Sequence, residues 1–559
     1  MSPVTGDRLA KTTVQLFLAF VVALSITAAL IPLFARWAPH IGLTDAPGPR
    51  KVHSAPVPRV GGIAMAAGML TPALLMLQLN PALNGMFVGL VVLLVVGVWD
   101  DRVEATYWVK FLGQFLAVTL AMEIGDIRIH TLAFGTPGEL PHGFSWALTF
   151  VFLVGVTNAV NLSDGLDGLA GGMAFLCLVA IALLATASGN TLVTFVALIQ
   201  AGAILGFLRF NTHPARVFMG DGGSQVLGFS TGVLAILATQ GEGAAVSAAL
   251  PLLLIGVPII DTLGVMVRRI SEGRSPFSSD RNHLHHKLLY LGFSHRQAVI
   301  FIYALQATLF LIAYFLRFES DWLITAIFCT FAFAVLGTLR WVGRAGWRLR
   351  ERTEITRASG GWAATHLPSA RIQELALTAM GLGLAAYVAV TLLQTGNVES
   401  DVGILCLTLL AVFLIVLGVA RTESSRTWVD RVAAYVGVVM IVYLDQTAPA
   451  KGELVSGLSW TALALTGAAA LVRFWLSPAR RFEVTSLDVL VVFIAVVLPN
   501  LPGSIHLPED LPAGIAKAVI LLYVVEALLA LELKRAVPRA ALALMFGIVA
   551  ARWLIAPFL

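Results

Sequence analysis

Two adjacent carboxylates, Asp100 and Asp101, stand shortly ahead of Lys110 in a chain of which only 12% is charged. Paired carboxylates suit a divalent cation or general-base work, because crowding raises their affinity for a proton. From Asn158 to Gly168 the chain reads Asn-Ala-Val-Asn-Leu-Ser-Asp-Gly-Leu-Asp-Gly, so Asn161, Asp164 and Asp167 recur every three residues. A helical turn would set these three on one side. They are hard oxygen donors of the kind Mg²⁺ takes, and the glycines let backbone approach a substrate closely. A third stretch, Pro214 to Ser224, carries Arg216, Phe218 and a single carboxylate, Asp221, within Gly-Asp-Gly-Gly. A helix beginning there would offer free backbone N–H groups to a phosphate.

Two further clusters are basic. Lys51, His53 and Arg59 lead into Gly61-Gly62, and Arg281, His283, His285 and His286 lie between Ser278 and Lys287. Cations and imidazoles in this density suit a phosphate or diphosphate, and the histidines also admit a transition metal. The absence of a nearby cysteine favours the anion; Cys177, Cys329 and Cys406 all fall in apolar runs without metal-ligand spacing. Every cluster has a plain alternative. Basic loops mark one side of any membrane protein. Asn, Ser and Asp are ordinary cap and turn residues, and Gly-Asp-Gly-Gly also serves as a tight connection. Coincidence weighs against these readings, since all five clusters fall on one predicted side, at the membrane, where ionisable groups are costly. Together they offer Asp and Asn to Mg²⁺, with Mn²⁺ as a substitute, and Arg, Lys and His to phosphates.

Membrane helices must position these residues. The chain is 58% hydrophobic, its mean hydropathy is +0.86, and apolar runs of about 17–25 residues recur along it. The pattern predicts an all-α polytopic membrane protein of about eighteen transmembrane helices, from 14–34 to 540–556, with 62–79 and an unbroken 247–269 among them. The first run is too long for a signal-peptide core and reads as the first helix. The loops holding Arg50 to Arg59, Arg102, Arg209 and Arg216, Arg268 to His295, and Arg344 to Arg352 share one side if the N-terminus is outside. The positive-inside rule makes that side cytoplasmic. Ile127–Phe134 reads as a short extended piece on the opposite side. Residues 1–345 hold all the chemistry, 346–372 form a basic linker, and 373–559 form an extension of about seven helices without a catalytic cluster. A net charge of +5 from 37 Lys+Arg against 32 Asp+Glu is no nucleic-acid signature.

Over roughly residues 14–341, these five ordered motifs resemble those of the polyprenyl-phosphate N-acetylhexosamine-1-phosphate transferases, the superfamily of MraY, WecA and TagO. Ser275-Pro-Phe-Ser-Ser-Asp280-Arg281-Asn-His283-Leu-His285-His286 and Lys51 to Gly62 look most like the WecA branch. The resemblance implies that a UDP-N-acetylhexosamine, first of all UDP-GlcNAc, and polyprenyl phosphate give polyprenyl-diphospho-sugar and UMP. It implies Mg²⁺ on Asn161 and Asp221, Asp100 as the base that deprotonates or orients the lipid phosphate, and Asp101 close to the metal. Lys110, His283, His285 and His286 would hold phosphates, Asp164 and Asp167 would shape the uridine and metal site, and Phe218 would stack on uracil. A homodimer in the cytoplasmic (inner) membrane, with its active site facing the cytoplasm, is also implied. The extension departs from the family pattern. Two alternatives stand: the same reaction with UDP-GalNAc, a deoxy-sugar or MurNAc-pentapeptide, and a secondary transporter. Transporters place polar residues near the midplane, and Asp261, inside a predicted span, is the one carboxylate that fits this.

Overall fold

The computed structural model describes residues 3–46, 56–132, 138–240, 246–275, 282–346, 348, 369–395 and parts of 403–555. The apolar runs become helices because lipid offers the backbone no hydrogen-bond partner, so each segment must satisfy its own. In order these are α1 (Pro3–Ile41), α2 (Gly61–Met76), α3 (Pro81–Val103), α4 (Tyr107–Gly125), α5 (His142–Ser163), α6 (Leu169–Ala187) and α7 (Thr191–Asn211). Then come α8 (Gly220–Thr239), α9 (Pro251–Leu254), α10 (Gly256–Ser271), α11 (Leu284–Tyr290), α12 (His295–Phe315) and α13 (Asp321–Arg344). The extension shows α14 (Ser369–Gln394), α15 (Glu423–Thr447), α16 (Glu453–Trp475) and α17 (Ala536–Ile555). Among the described residues, ten helices are long and apolar enough to cross a membrane. Much of the predicted spans 403–420, 486–500 and 515–533 lies outside the described residues.

One predicted span is corrected. Residues 247–269 do not form a single helix: α9 stops and α10 starts around Ile255. Pro258 has no N–H to return to Leu254, so the ladder opens there. Gln306, fully buried on α12, fills the gap: its Nε2 donates to Leu254 O (2.8 Å) and its Oε1 accepts from Val257 N–H (3.2 Å). A second feature went unread in the sequence. Thr44–Asp45 (β1) pairs antiparallel with Val57–Pro58 (β2), closing the segment that holds Lys51 and His53, which lie outside the described residues. The extended piece at 127–134 appears as one bridge, Thr131 to Glu139.

The centre of the bundle is α6, α7 and α8, whose apolar windows are 94%, 89% and 94% buried. The first turn of α8 is clamped between α2 and α3 by backbone-to-backbone contacts. A Cβ on Gly62 would stand 2.5 Å from Gly223 Cα, and one on Gly97 would stand 2.2 Å from Gly222 Cα. Small residues are how membrane helices come this close. In the extension, α14 packs on α16, and α15 packs on α1. One hydrophobic core runs through both parts, from Phe20 and Phe229 to Tyr387 and Leu487.

Candidate active site

The end of α3, the start of α4, the end of α5 and the start of α8 converge at one end of the bundle. Asp100 and Asp101 lie in the last turn of α3, buried to 4% and 9% exposure. Lys110, in the first turn of α4, places Nζ 2.6 Å from Asp100 Oδ2 and 2.5 Å from Asp221 Oδ2. The other carboxylate of the pair has a different task. Asp101 Oδ1 accepts the Asp221 N–H (3.0 Å) and Oδ2 accepts the Gly222 N–H (3.3 Å). Met219, at the N-cap of α8, has no side-chain oxygen, so an aspartate from another helix supplies the cap and meets the positive end of the helix dipole. Gly220 makes this approach feasible: its φ is +71°, and a Cβ there would fall 2.3 Å from Asp101 Oδ2. Arg59 pairs with Asp45 and stands 3.8 Å from Asp101.

Asn161, in the last turn of α5, donates Nδ2 to Asp221 Oδ1 (3.3 Å) and to Ser224 Oγ (2.6 Å). Behind it, Gln114 Nε2 donates to Asn158 Oδ1 (3.2 Å) and Gln225 Oε1 (3.1 Å). Gln114 and Gln225 were missed in the sequence, where a polar residue inside an apolar helix was the available signal; Ser224 closed the Gly-Asp-Gly-Gly stretch without an assigned role. The donor set fits a hard divalent cation. It is all oxygen and amide, three carboxylates (Asp100, Asp101, Asp221) face two cations (Lys110, Arg59), and Asp100 Oδ1 is buried with no hydrogen-bond partner among the described residues. Rotating the Asn161 amide by half a turn presents Oδ1 in the same place. Asp221 and Asn161 would hold the ion, with Asp101, whose oxygens each accept one N–H of the cap, close by.

Asp164 and Asp167 do not share a helical face with Asn161, as their spacing predicts. α5 ends at Ser163, and both lie on the turn that follows. The Asp164 side chain is exposed, although protein atoms crowd around it. That desolvation, with Asp221, Asp101 and Asp167 nearby, pushes its carboxyl up to about 7. Asp167 Oδ2 accepts the Ala215 N–H (3.1 Å) and meets His213 Nδ1 at 2.7 Å. His213 in turn stacks on His295, with ring centroids 4.1 Å apart. Asn211, also unpredicted, ties the turn to α8's approach by accepting from Gly168 N–H and donating to Val217 O, both at 2.9 Å.

The histidine cluster forms a short helix beside this turn. Asp261, buried at 5% exposure, holds its start: Oδ2 meets His283 Nδ1 at 3.0 Å and Oδ1 accepts the Leu284 N–H at 2.6 Å. His285 abuts the turn so closely that a Cβ on Gly165 would fall 2.3 Å from its Nε2. Burial, with His286 beside it, lowers His285 to about 4, so its ring is neutral at pH 7. The His286 ring centroid lies 4.2 Å from that of His285. Phe218, two residues ahead of α8, is tied to β2 and the start of α2, its N–H donating to Pro58 O (2.8 Å) and its carbonyl accepting from Gly61 N–H (2.9 Å). Arg216 is exposed, and among the described residues no ion pair joins it to the carboxylates. Arg281 lies outside the described residues.

A polytopic membrane bundle with a lysine clasped by carboxylates at one end, and imidazoles alongside, is built as a membrane enzyme for phosphate chemistry. Known proteins bear on the same residues. The family described as "Glycosyl transferase family 4" matches residues 83–239, which run from α3 through α8. The chain is 34% identical over 312 residues to "Probable undecaprenyl-phosphate N-acetylglucosaminyl 1-phosphate transferase" of Bacillus subtilis, covering 56% of this chain and 87% of that protein. It is 38% identical over 317 residues to "Decaprenyl-phosphate N-acetylglucosaminephosphotransferase" of Mycolicibacterium smegmatis, covering 50% and 77%. It is 32% identical over 346 residues to "Undecaprenyl-phosphate alpha-N-acetylglucosaminyl 1-phosphate transferase" of Salmonella typhimurium, covering 59% and 94%. The chain belongs to glycosyl transferase family 4.

Proposed function

We propose that this chain transfers N-acetylglucosamine-1-phosphate from UDP-N-acetylglucosamine to a polyprenyl phosphate, giving polyprenyl-diphospho-N-acetylglucosamine and UMP. The carrying observation is Lys110 held between Asp100 and Asp221, with Asn161 alongside, in a chain whose relatives carry the names of such transferases. Asp221 and Asn161 would hold a divalent cation, which would neutralise charge on the diphosphate. Asp100 orients the lipid phosphate and takes its proton when it arrives protonated. A lipid phosphate oxygen attacks the sugar-bearing phosphorus. The new P–O bond forms as the bond to the bridging oxygen breaks, and UMP leaves with that oxygen. Lys110 moves no proton; it balances the charge that gathers between Asp100 and Asp221.

Asp164, Asp167 and Phe218 shape the nucleoside end. His283, oriented by Asp261, receives phosphate oxygens together with His285, His286, Lys51, His53, Arg59, Arg216 and Arg281. The basic loops support a cytoplasmic orientation for this face in the cytoplasmic membrane, with the N-terminus outside; the homodimer rests on the family resemblance alone. Asp261 speaks for the enzyme rather than for transport, because both its oxygens are committed to the start of α11. The test is UMP release by the purified full chain given UDP-GlcNAc, undecaprenyl phosphate and Mg²⁺. Release that needs lipid and metal, and is lost in Asp221→Ala and Asp100→Asn, is expected. Release only with another UDP-sugar changes the donor, and silence with every UDP-sugar refutes the reading.

A further inference from the structure

Among the described residues of 373–559 no catalytic cluster appears, yet one of their side chains reaches the turn that carries Asp164 and Asp167. That turn ends at Gly168, whose φ is +81°. Its peptide groups are gripped on both sides: the N–H donates to Asn211 Oδ1 (2.9 Å), and the carbonyl accepts the Tyr303 hydroxyl (2.5 Å) from α12. Tyr303 is 2% exposed and sits so tightly on α6 that a Cβ on Gly172 would fall 1.9 Å from its oxygen. The hydroxyl of Ser486, from the extension, hydrogen-bonds that same phenol. Ser486 is 3% exposed, and its Oγ lies 3.3 Å from where a Gly168 Cβ would be. The contact is not isolated. Leu487 and Leu490 are buried in the shared core, and Phe493 meets Phe310 of α12 edge-on with centroids 6.0 Å apart.

A phenol has one proton, and here it goes to Gly168 O. Ser486 must therefore donate to the phenol oxygen, which fixes the direction of the Tyr303 O–H and strengthens it in a site without water. The residue held in this way, Gly168, directly follows Asp167. We propose that Ser486 is a positioning residue: through Tyr303 it sets the Asp164–Gly168 turn, so that the C-terminal extension governs capture of the nucleotide-sugar. This rests on the transfer reading above for what the turn binds, and not for the contact itself.

The test uses the full chain in lipid nanodiscs. Ser486→Ala and Tyr303→Phe should each raise KM for the UDP-sugar about three- to tenfold, the size of one lost buried hydrogen bond, with KM for polyprenyl phosphate unchanged. Ser486→Thr should restore the wild-type value. The double variant should be no worse than Tyr303→Phe alone, because Ser486 acts only through the phenol. Amide hydrogen exchange across 164–169 should quicken in both single variants. An unchanged nucleotide KM in Ser486→Ala, additive effects in the double variant, or unaltered exchange overturns the proposal. A wild type silent with every UDP-sugar refutes the transfer reading, and the exchange measurement then decides the positioning one by itself.

Discussion

Replacing Gly97 by alanine probes how the site is held together without touching any residue that does chemistry. Gly97 lies one turn before Asp100 on α3, and the added Cβ would stand 2.2 Å from Gly222 Cα and 2.6 Å from Gly222 N. Ordinary contact begins at 3.4 Å, so α3 and α8 must part by about 1.2 Å. Both opposing atoms are backbone, and no rotamer change relieves them. Asp221 is the neighbour of Gly222 and moves with α8, while Asp100 and Lys110 stay with α3 and α4. The displacement therefore falls on the 2.5 Å contact between Lys110 and Asp221. A misplacement of about 1 Å costs on the order of 100-fold in rate, or about 2.7 kcal/mol of barrier, and the overpacking itself costs about 1–3 kcal/mol of stability. The assay is kcat for UMP release, with the thermal midpoint measured in the same detergent. Gly155→Ala on α5, where nothing lies within 4 Å, is the matched control and should leave kcat unchanged. Wild-type kcat in a folded Gly97→Ala protein would refute the claim that this backbone contact sets the site.

Lys110→Gln leaves Asp100, Asp101 and Asp221 facing Arg59 alone, and kcat should drop about 10²–10³-fold. Lys110→Arg should not rescue it, since a planar fork cannot bring one nitrogen as close to both carboxylates as the ammonium does; full rescue in the turnover assay would contradict this. Gly165→Ala drives a methyl into His285, so kcat should fall at least about tenfold, and adding Gly165→Ala to His285→Ala should cost nothing more. The pH dependence of stability follows from His285. Its folded value of about 4 lies below the ordinary value of 6.5, so the unfolded chain binds the extra proton between them. Stability is then level above pH 6.5 and falls as the pH drops toward 4, by about 3 kcal/mol in all. Thermal midpoints across that range should show the slope, and His285→Gln should flatten it.

Much of the fold was legible because the bilayer imposes one rule on the backbone, and runs such as 168–187 and 191–208 match their helices to within three residues. The break at Ile255 was harder. Pro258 announced it, but a proline kink and a full break look alike in sequence, and Gln306, the side chain that stabilises the break, lies far along the chain. Asp164 and Asp167 show the limit of spacing arguments. A three-residue repeat describes a helical face only if the helix continues, and here it stops at Ser163.

The sequence by itself determined the class of molecule and the chemical kinds at the site. In so apolar a chain a carboxylate, lysine or imidazole beside the membrane is expensive, so its presence already marks function. Only the tertiary structure decided which of these meet. Lys110 and Asp221 are 111 positions apart, and nothing local to either predicts a 2.5 Å contact. Nor could sequence show that, of the Asp100-Asp101 pair, one carboxylate turns to Lys110 while the other caps α8. Periodicity tells which face of a helix is buried, whereas the neighbour that face receives is set by how closely glycines such as Gly62, Gly97 and Gly222 let the helices approach.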